Sequence, residues 1–198
     1  MFWLLTALWA AGLILSGIAP YDRLTWLMEV LPALIAWPIL FYLRPRFRFT
    51  DLAMALIALH GLILMLGGAY TYARVPLGFW LQDWLSLERN PYDRIGHLAQ
   101  GFVPAIVARE LLIRVFRIDG RKLTGFLVVC ICLAISAVYE LIEWAAALSM
   151  GQGADEFLGT QGDEWDTQSD MFMALIGALA ALALSRWHDR RIAAIELA

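Results

Sequence analysis

Six apolar stretches, each on the scale of one bilayer crossing, constrain this chain more than any other feature. They cover residues 2–19, 24–43, 51–72, 95–116, 123–149 and 171–184. A helix rises about 1.5 Å per residue, so about twenty residues cross a hydrocarbon core of ~30 Å. The last stretch is short and needs a first turn from the polar segment before it. The second holds Pro32 and Pro38, kinks that a packed membrane helix tolerates. The predicted fold is therefore all-α: a single polytopic membrane bundle of six transmembrane helices over residues 1–198, without an internal repeat or second domain.

Composition agrees. The chain is 61% hydrophobic and 17% charged, with a mean hydropathy of +0.67. Soluble domains carry about 25% charge, and one of this size has too little interior to hide so much apolar surface. The net charge is −3, with no basic arm, so nothing supports nucleic-acid binding. Cys130 and Cys132 fall within an apolar run and point to different helix faces, so they are not a natural disulfide pair and read as buried small hydrophobes. The first stretch lacks a basic leader, and its small-residue cut candidate Gly17-Ile18-Ala19 precedes Pro20. It reads as a retained first helix rather than a cleaved signal.

The connections give an orientation. Arg44, Arg46, Arg48, Arg114, Arg117, Arg121, Lys122, Arg186, Arg190 and Arg191 flank one side, against Arg23, Arg74, Arg89 and Arg94 on the other. Ten against four places both termini in the cytoplasm. Two outer connections are unusual. Residues 75–90 carry Phe79, Trp80, Trp84 and Leu85, too short a run to span, and read as an interfacial or re-entrant segment. Residues 150–170 hold no Lys or Arg and six acids, Asp155, Glu156, Asp163, Glu164, Asp166 and Asp170.

Ionisable groups inside membrane helices are expensive, at about 2.5 kcal/mol or more each near the helix centre, so their placement is informative. With the orientation above, His97 falls in the first turn of the fourth stretch, with Asp93 one turn ahead. Glu140 and Glu143 lie near the outer exit of the fifth, and Glu29 in the outer part of the second. Asp163, Asp166 and Asp170 lead into the sixth; if that lead-in is helical they make one stripe. The prediction is one outer polar site of Asp93, His97, Glu140, Glu143, Asp163, Asp166 and Asp170. Carboxylates packed so densely need a bound cation, shared protons or a positive group on a ligand, with Arg94 supplying part of the balance. A divalent ion on His97, Glu140, Glu143 and Asp166 is one solution, with Asp163 or Asp170 as a base or supporting group. No spacing matches a known metal motif, so the ion's identity stays open.

Bland alternatives stand beside each of these. The glutamates can pair with arginines, and the loop aspartates can be solvated. His60, near mid-membrane, reads as an interhelical hydrogen bonder. Arg109 and Glu110 face different ways and each reads as pairing with another helix.

The runs Tyr92-Asp93-Arg94-Ile95-Gly96-His97, Arg109-Glu110, Glu140-Leu141-Ile142-Glu143-Trp144 and Leu158–Met171 together resemble the YjdF family of bacterial inner-membrane proteins. The resemblance covers nearly the whole chain. It implies location and architecture, not an activity. A weaker similarity to VanZ-like membrane proteins rests on Asp93, His97, Glu140 or Glu143, and Asp170 with Ala174 and Gly177; it implies a cell-envelope role at the outer face. Three function classes follow. One is a site for a lipid or envelope-linked headgroup, with metal-assisted hydrolysis or transfer as its chemistry if it is an enzyme. The others are an accessory membrane protein and a small proton- or cation-coupled transporter. The small size, one-sided acids and lack of an inverted repeat weigh against transport. Membrane lipids are the expected partners, and the oligomeric state is open.

Overall fold

The computed structural model describes residues 1–150 and 160–196. Asp155, Glu156, Leu158 and Gly159 of the sequence reading lie outside them. Eight α-helices occur among the described residues: α1 (Phe2–Ile18), α2 (Arg23–Leu43), α3 (Asp51–Tyr70), α4 (Pro76–Leu85), α5 (Tyr92–Arg114), α6 (Arg121–Met150), α7 (Asp166–Ala183) and α8 (Ser185–Glu196).

Local chemistry sets the helix ends. Asp22 caps α2, accepting from the Thr25 backbone N–H at 2.7 Å. That bond favours the ionised form and holds the Asp22 carboxyl below its ordinary range. Thr50 caps α3 through Ala53 N–H at 3.2 Å. The third apolar stretch stops two residues earlier than its composition suggests, because Thr71 takes a left-handed φ of 57°. A 3-10 turn over Tyr72–Arg74 then leads into α4, which has proline in its first turn. Pro32 and Pro38 both lie within a continuous α2. The sixth stretch does borrow from the polar segment: α7 begins at Asp166, not at 171. Asp163 lies before the helix, in a turn, so the acidic stripe on α7 comprises Asp166 and Asp170 only. The predicted interfacial segment forms α4, with Trp80 and Trp84 about three-quarters exposed.

α2, α3 and α6 are long and apolar enough to cross a membrane, and α7 with α8, bent by 62°, makes a fourth candidate if the pair counts as one span. α1 falls short at 17 residues. α5 has the length but carries Asp93, Arg94, Arg109, Glu110 and Arg114. The outward faces of α1 and α2 are apolar, with Trp3, Leu4, Ile14 and Leu15 among the exposed side chains. That suits a solvent of lipid.

α5 is the hub, packed on α3, α6 and α7. Its closest neighbour is α7, along a seam of small residues: Gly101, Ala105 and Ala108 against Ala174, Gly177, Ala178 and Ala181. Small side chains let two membrane helices approach to backbone contact. This crossing brings the N-terminal turns of both helices, and their acids, to one end of the bundle.

Candidate functional site

His97 sits on the second turn of α5, buried at 5% exposure. Three carboxylates surround it. Its Nε2 lies 3.5 Å from Asp93 Oδ1, one turn earlier, and 3.9 Å from Asp170 Oδ2 on α7. Its Nδ1 lies 3.7 Å from Glu140 Oε1 on α6 and 3.1 Å from Gln100 Oε1. Asp93, His97 and Asp170 each offer a ligand atom within 4.8 Å of the others. The Nε2 separations to Asp93 and Asp170 are too long for good hydrogen bonds, while Nδ1 bonds Gln100 and faces Glu140 on the other edge of the ring. The Nε2 separations suit one shared ion, since two atoms each ~2.0–2.5 Å from a metal lie up to about 4–5 Å apart. Asp170 Oδ1 and Glu140 Oε1 are buried without a hydrogen-bond partner. Buried orphans of this kind mark a place where a proton, water or ion belongs.

The other acids divide into two groups. Asp163 and Asp166 face Arg89, which precedes α5. Its Nη1 lies 3.3 Å from Asp163 Oδ2 and 2.5 Å from Asp166 Oδ1, and its Nη2 is 3.8 Å from Asp93 Oδ2. Arg94 adds a second contact to Asp163 at 3.2 Å. Arg89 is thus the main counter-charge and Arg94 the lesser one. Glu29 and Glu143 face the other way, into a cavity of about 790 Å³ that Asp93, His97 and Gln100 also line. Glu29, 4% exposed, accepts from Tyr139 Oη at 3.2 Å. Glu143 is half-buried.

A clasp beneath the acids fixes their positions. Asn90, fully buried, accepts from Tyr92 N–H at 3.0 Å and donates to Val75 O at 3.1 Å. The Gln161 amide exchanges two 3.0 Å bonds with the Asn90 backbone, and Arg89 Nη1 donates to Thr160 O at 2.9 Å. The segment ahead of α7 is thereby tied to the segment ahead of α5. None of Arg89, Asn90, Gln100, Tyr139 or Gln161 is a candidate from the sequence, although Arg89-Asn90-Pro91 directly precedes Tyr92-Asp93 and Gln161 falls within the most specific block of the resemblance.

A second buried polar cluster lies at the basic end. Glu110, fully buried, accepts from Thr50 N–H at 3.0 Å and also from the Thr50 hydroxyl. Arg114 Nη1 lies 3.2 Å from it and His188 Nε2 3.0 Å. Arg109 makes a bidentate pair with Asp189, at 2.7 and 2.8 Å. Arg109 and Glu110 therefore do each pair with another helix, α8, through Asp189 and His188, neither of which is a candidate from the sequence. His60 Nε2 is buried with no hydrogen-bond partner, contrary to the interhelical bond expected of it, and lines the cavity. Cys130 is exposed and Cys132 buried, its Sγ 3.4 Å from Gly101 O.

The profile of the family described as "Predicted membrane protein (DUF2238)" matches residues 1–191. The chain is 60% identical, over 181 residues, to "Inner membrane protein YjdF" of Escherichia coli (strain K12); the match covers 91% of this chain and 87% of that protein. No solved structure matches. The weaker similarity to VanZ-like proteins finds no support in these comparisons. With its several apolar helices, this is a multi-pass inner-membrane protein, and it belongs to the DUF2238 family of YjdF-like proteins.

Proposed function

We propose that this protein binds a divalent cation between Asp93, His97 and Asp170, with Glu140 beside them, and uses it to hold a lipid or envelope-linked headgroup at the outer face of the inner membrane. The observation that carries this reading is the shared gap among the three ligand atoms, all within 4.8 Å, next to the orphaned buried oxygen of Asp170. The cation then lies away from Asp166, which Arg89 already compensates, and toward Asp93 and Asp170. Glu143 and Glu29 then face the headgroup from the cavity. Orientation follows the basic asymmetry: α1 and α5 join α2, α3, α6 and α7 as six spans, both termini cytoplasmic and the acidic end outside. A mixed nitrogen and oxygen ligand set suits Zn, Mn or Fe. It also leaves coordination positions for a headgroup oxygen, where the ion would polarise a bond for hydrolysis or transfer.

Manganese titration of the full-length protein in detergent tests the reading, by calorimetry and by the loss of free-ion electron spin resonance signal. One ion per chain is expected to bind, with Asp170→Asn and His97→Gln each weakening binding at least tenfold while thermal stability without metal is retained. Wild-type binding matched by both variants overturns it and leaves the accessory-protein reading, for which the Arg89 and Asn90–Gln161 ties already speak.

A further inference from the structure

The 790 Å³ cavity is not a closed chamber around the acids but a long cleft running away from them. Its floor is α3 and α5, and its walls are α2 and α6. On α2 the lining runs from Glu29 to Leu43 on one face, about 21 Å at 1.5 Å per residue. Only the acidic end is rich in polar groups. Beyond it the lining is apolar except for His60. The walls do not pack on one another along their length among the described residues, although α2 packs on α3 and α6 on α5 and α7. Where they meet, Tyr139 Oη donates to Glu29 as a strap across the polar end. Ile39 on one wall and Ile135, Val138 and Ile142 on the other remain 41–55% exposed while lining the cleft. The gap therefore opens sideways, and in an inner-membrane protein what lies beside a helix wall is lipid.

We infer that this cleft takes one hydrocarbon chain of a membrane lipid whose headgroup sits at the acidic end. Length supports a chain: one leaflet's hydrocarbon is roughly 15 Å deep, half of the ~30 Å core, and the cleft accommodates that with its head at Glu29 and Asp93. Medium supports it too, because an apolar slot open to the bilayer fills with the chains already there and excludes water. The cleft also shares Asp93 and His97 with the proposed cation site, so a chain lying in it presents its headgroup to the ion. The headgroup half of this inference rests on that proposed cation; the chain half rests on the cleft alone. The substrate class is then a membrane lipid, entering laterally between α2 and α6.

The probe is a phosphatidic acid with a photoreactive diazirine at mid-chain, reconstituted with the full-length protein in nanodiscs and mapped by mass spectrometry. Crosslinks are expected to concentrate on cleft-lining positions of α2, α3 and α6, such as Ile39, Ile57 and Ile135, over the outward faces of α1. Ala36→Trp and Ala134→Trp, which fill the slot far from the acids, are expected to cut those crosslinks at least fivefold and leave manganese affinity unchanged. Cleft crosslinks that persist in Asp170→Asn, with manganese binding lost, uphold the chain slot. Crosslinks spread evenly over lipid-facing residues of the wild type, unchanged by either tryptophan, overturn the inference whatever the manganese result. The wild-type map needs no variant to fold.

Discussion

Gly101 on α5 and Ala174 on α7 meet backbone to backbone: a Cβ placed on Gly101 would fall 1.8 Å from the Ala174 carbonyl oxygen. Gly177 repeats the arrangement one turn on, where a Cβ would fall 2.1 Å from Leu98 O. Backbone cannot swing aside as a side chain can, so alanine at either position forces the two helices apart. The cost expected is about 3 kcal/mol, the upper end of overpacking penalties. Gly101→Ala and Gly177→Ala should lower the melting temperature and weaken cation binding together, since this crossing sets the distance from His97 to Asp170. Gly125→Ala is the control: its Cβ would meet Leu182 at 3.7 Å, an ordinary contact. Equal melting temperatures for all three proteins and wild type would remove the crossing as the frame of the site.

Glu110 joins three elements at the basic end, through Thr50 ahead of α3, Arg114 on its own helix and His188 on α8. Truncating it leaves the Thr50 donors and His188 buried without their acceptor. Breaking a buried charged contact from one side costs about 3–5 kcal/mol. Glu110→Ala should therefore destabilise the bundle and release α8, read as faster hydrogen exchange and earlier protease cleavage over 185–196. His188→Ala should free α8 with a smaller loss of global stability. Unchanged exchange in both variants would show that α8 is held by its apolar face alone.

The long apolar runs made most of this architecture legible in the sequence, because hydrophobicity over twenty residues outweighs local propensity. Where a single backbone angle decides, as at Thr71, composition overshot the helix end. The joint placement of Asp93, His97, Glu140 and Asp170 was legible because residue count along antiparallel neighbouring helices fixes which end of the bundle each acid reaches. The partition of the acids was not. Whether Asp166 meets a metal or Arg89 depends on a loop arginine whose neighbours in space lie some 75 residues away in sequence. The cleft was equally hidden, since an apolar residue facing a void and one facing a neighbour look the same in a sequence. His188 and Asp189 were missed because a short polar segment after the last apolar stretch shows no partner until its helix is seen docked.

Of the two cysteines only Cys132 is a packing residue; the burial expected of Cys130 is not met. Cys130 is exposed on α6, while Cys132 rests on the Gly101 carbonyl. Cys130→Ser should be neutral, and Cys132→Ala should cost about 1 kcal/mol for a small group lost from a tight seam. Neither should change manganese affinity. A loss of binding in either variant at unaltered stability would reveal a thiol ligand.

Sidedness has its own test. Ten basic residues flank one set of connections and four the other. A cytoplasm-active reporter fused after Ala198 should report, and a periplasm-active one inserted near Gly151 should report. Reversed activities would put the acidic end, and the lipid it is proposed to hold, in the inner leaflet.

Arg89 gives the sharpest electrostatic prediction, because its two roles pull in opposite directions. Its guanidinium contacts Asp163 and Asp166 and lies 3.8 Å from Asp93, so it holds the segment before α7 in place and also offsets the charge a cation would neutralise. Arg89→Gln removes both effects. The lost contacts should lower the melting temperature. The lost charge should tighten manganese binding, since an interaction of this length at an effective dielectric of about 20 is worth up to ~4 kcal/mol, less what water and the remaining Arg94 screen. Three- to tenfold tighter binding on a less stable protein is the expected result, with Arg89→Lys falling between the two. A purely structural network predicts otherwise: removing its central arginine would lower stability and leave metal affinity flat or weaker. Calorimetric titration of wild type, Arg89→Lys and Arg89→Gln at one ionic strength separates the cases, and weaker binding in Arg89→Gln with its fold retained would count against the cation site.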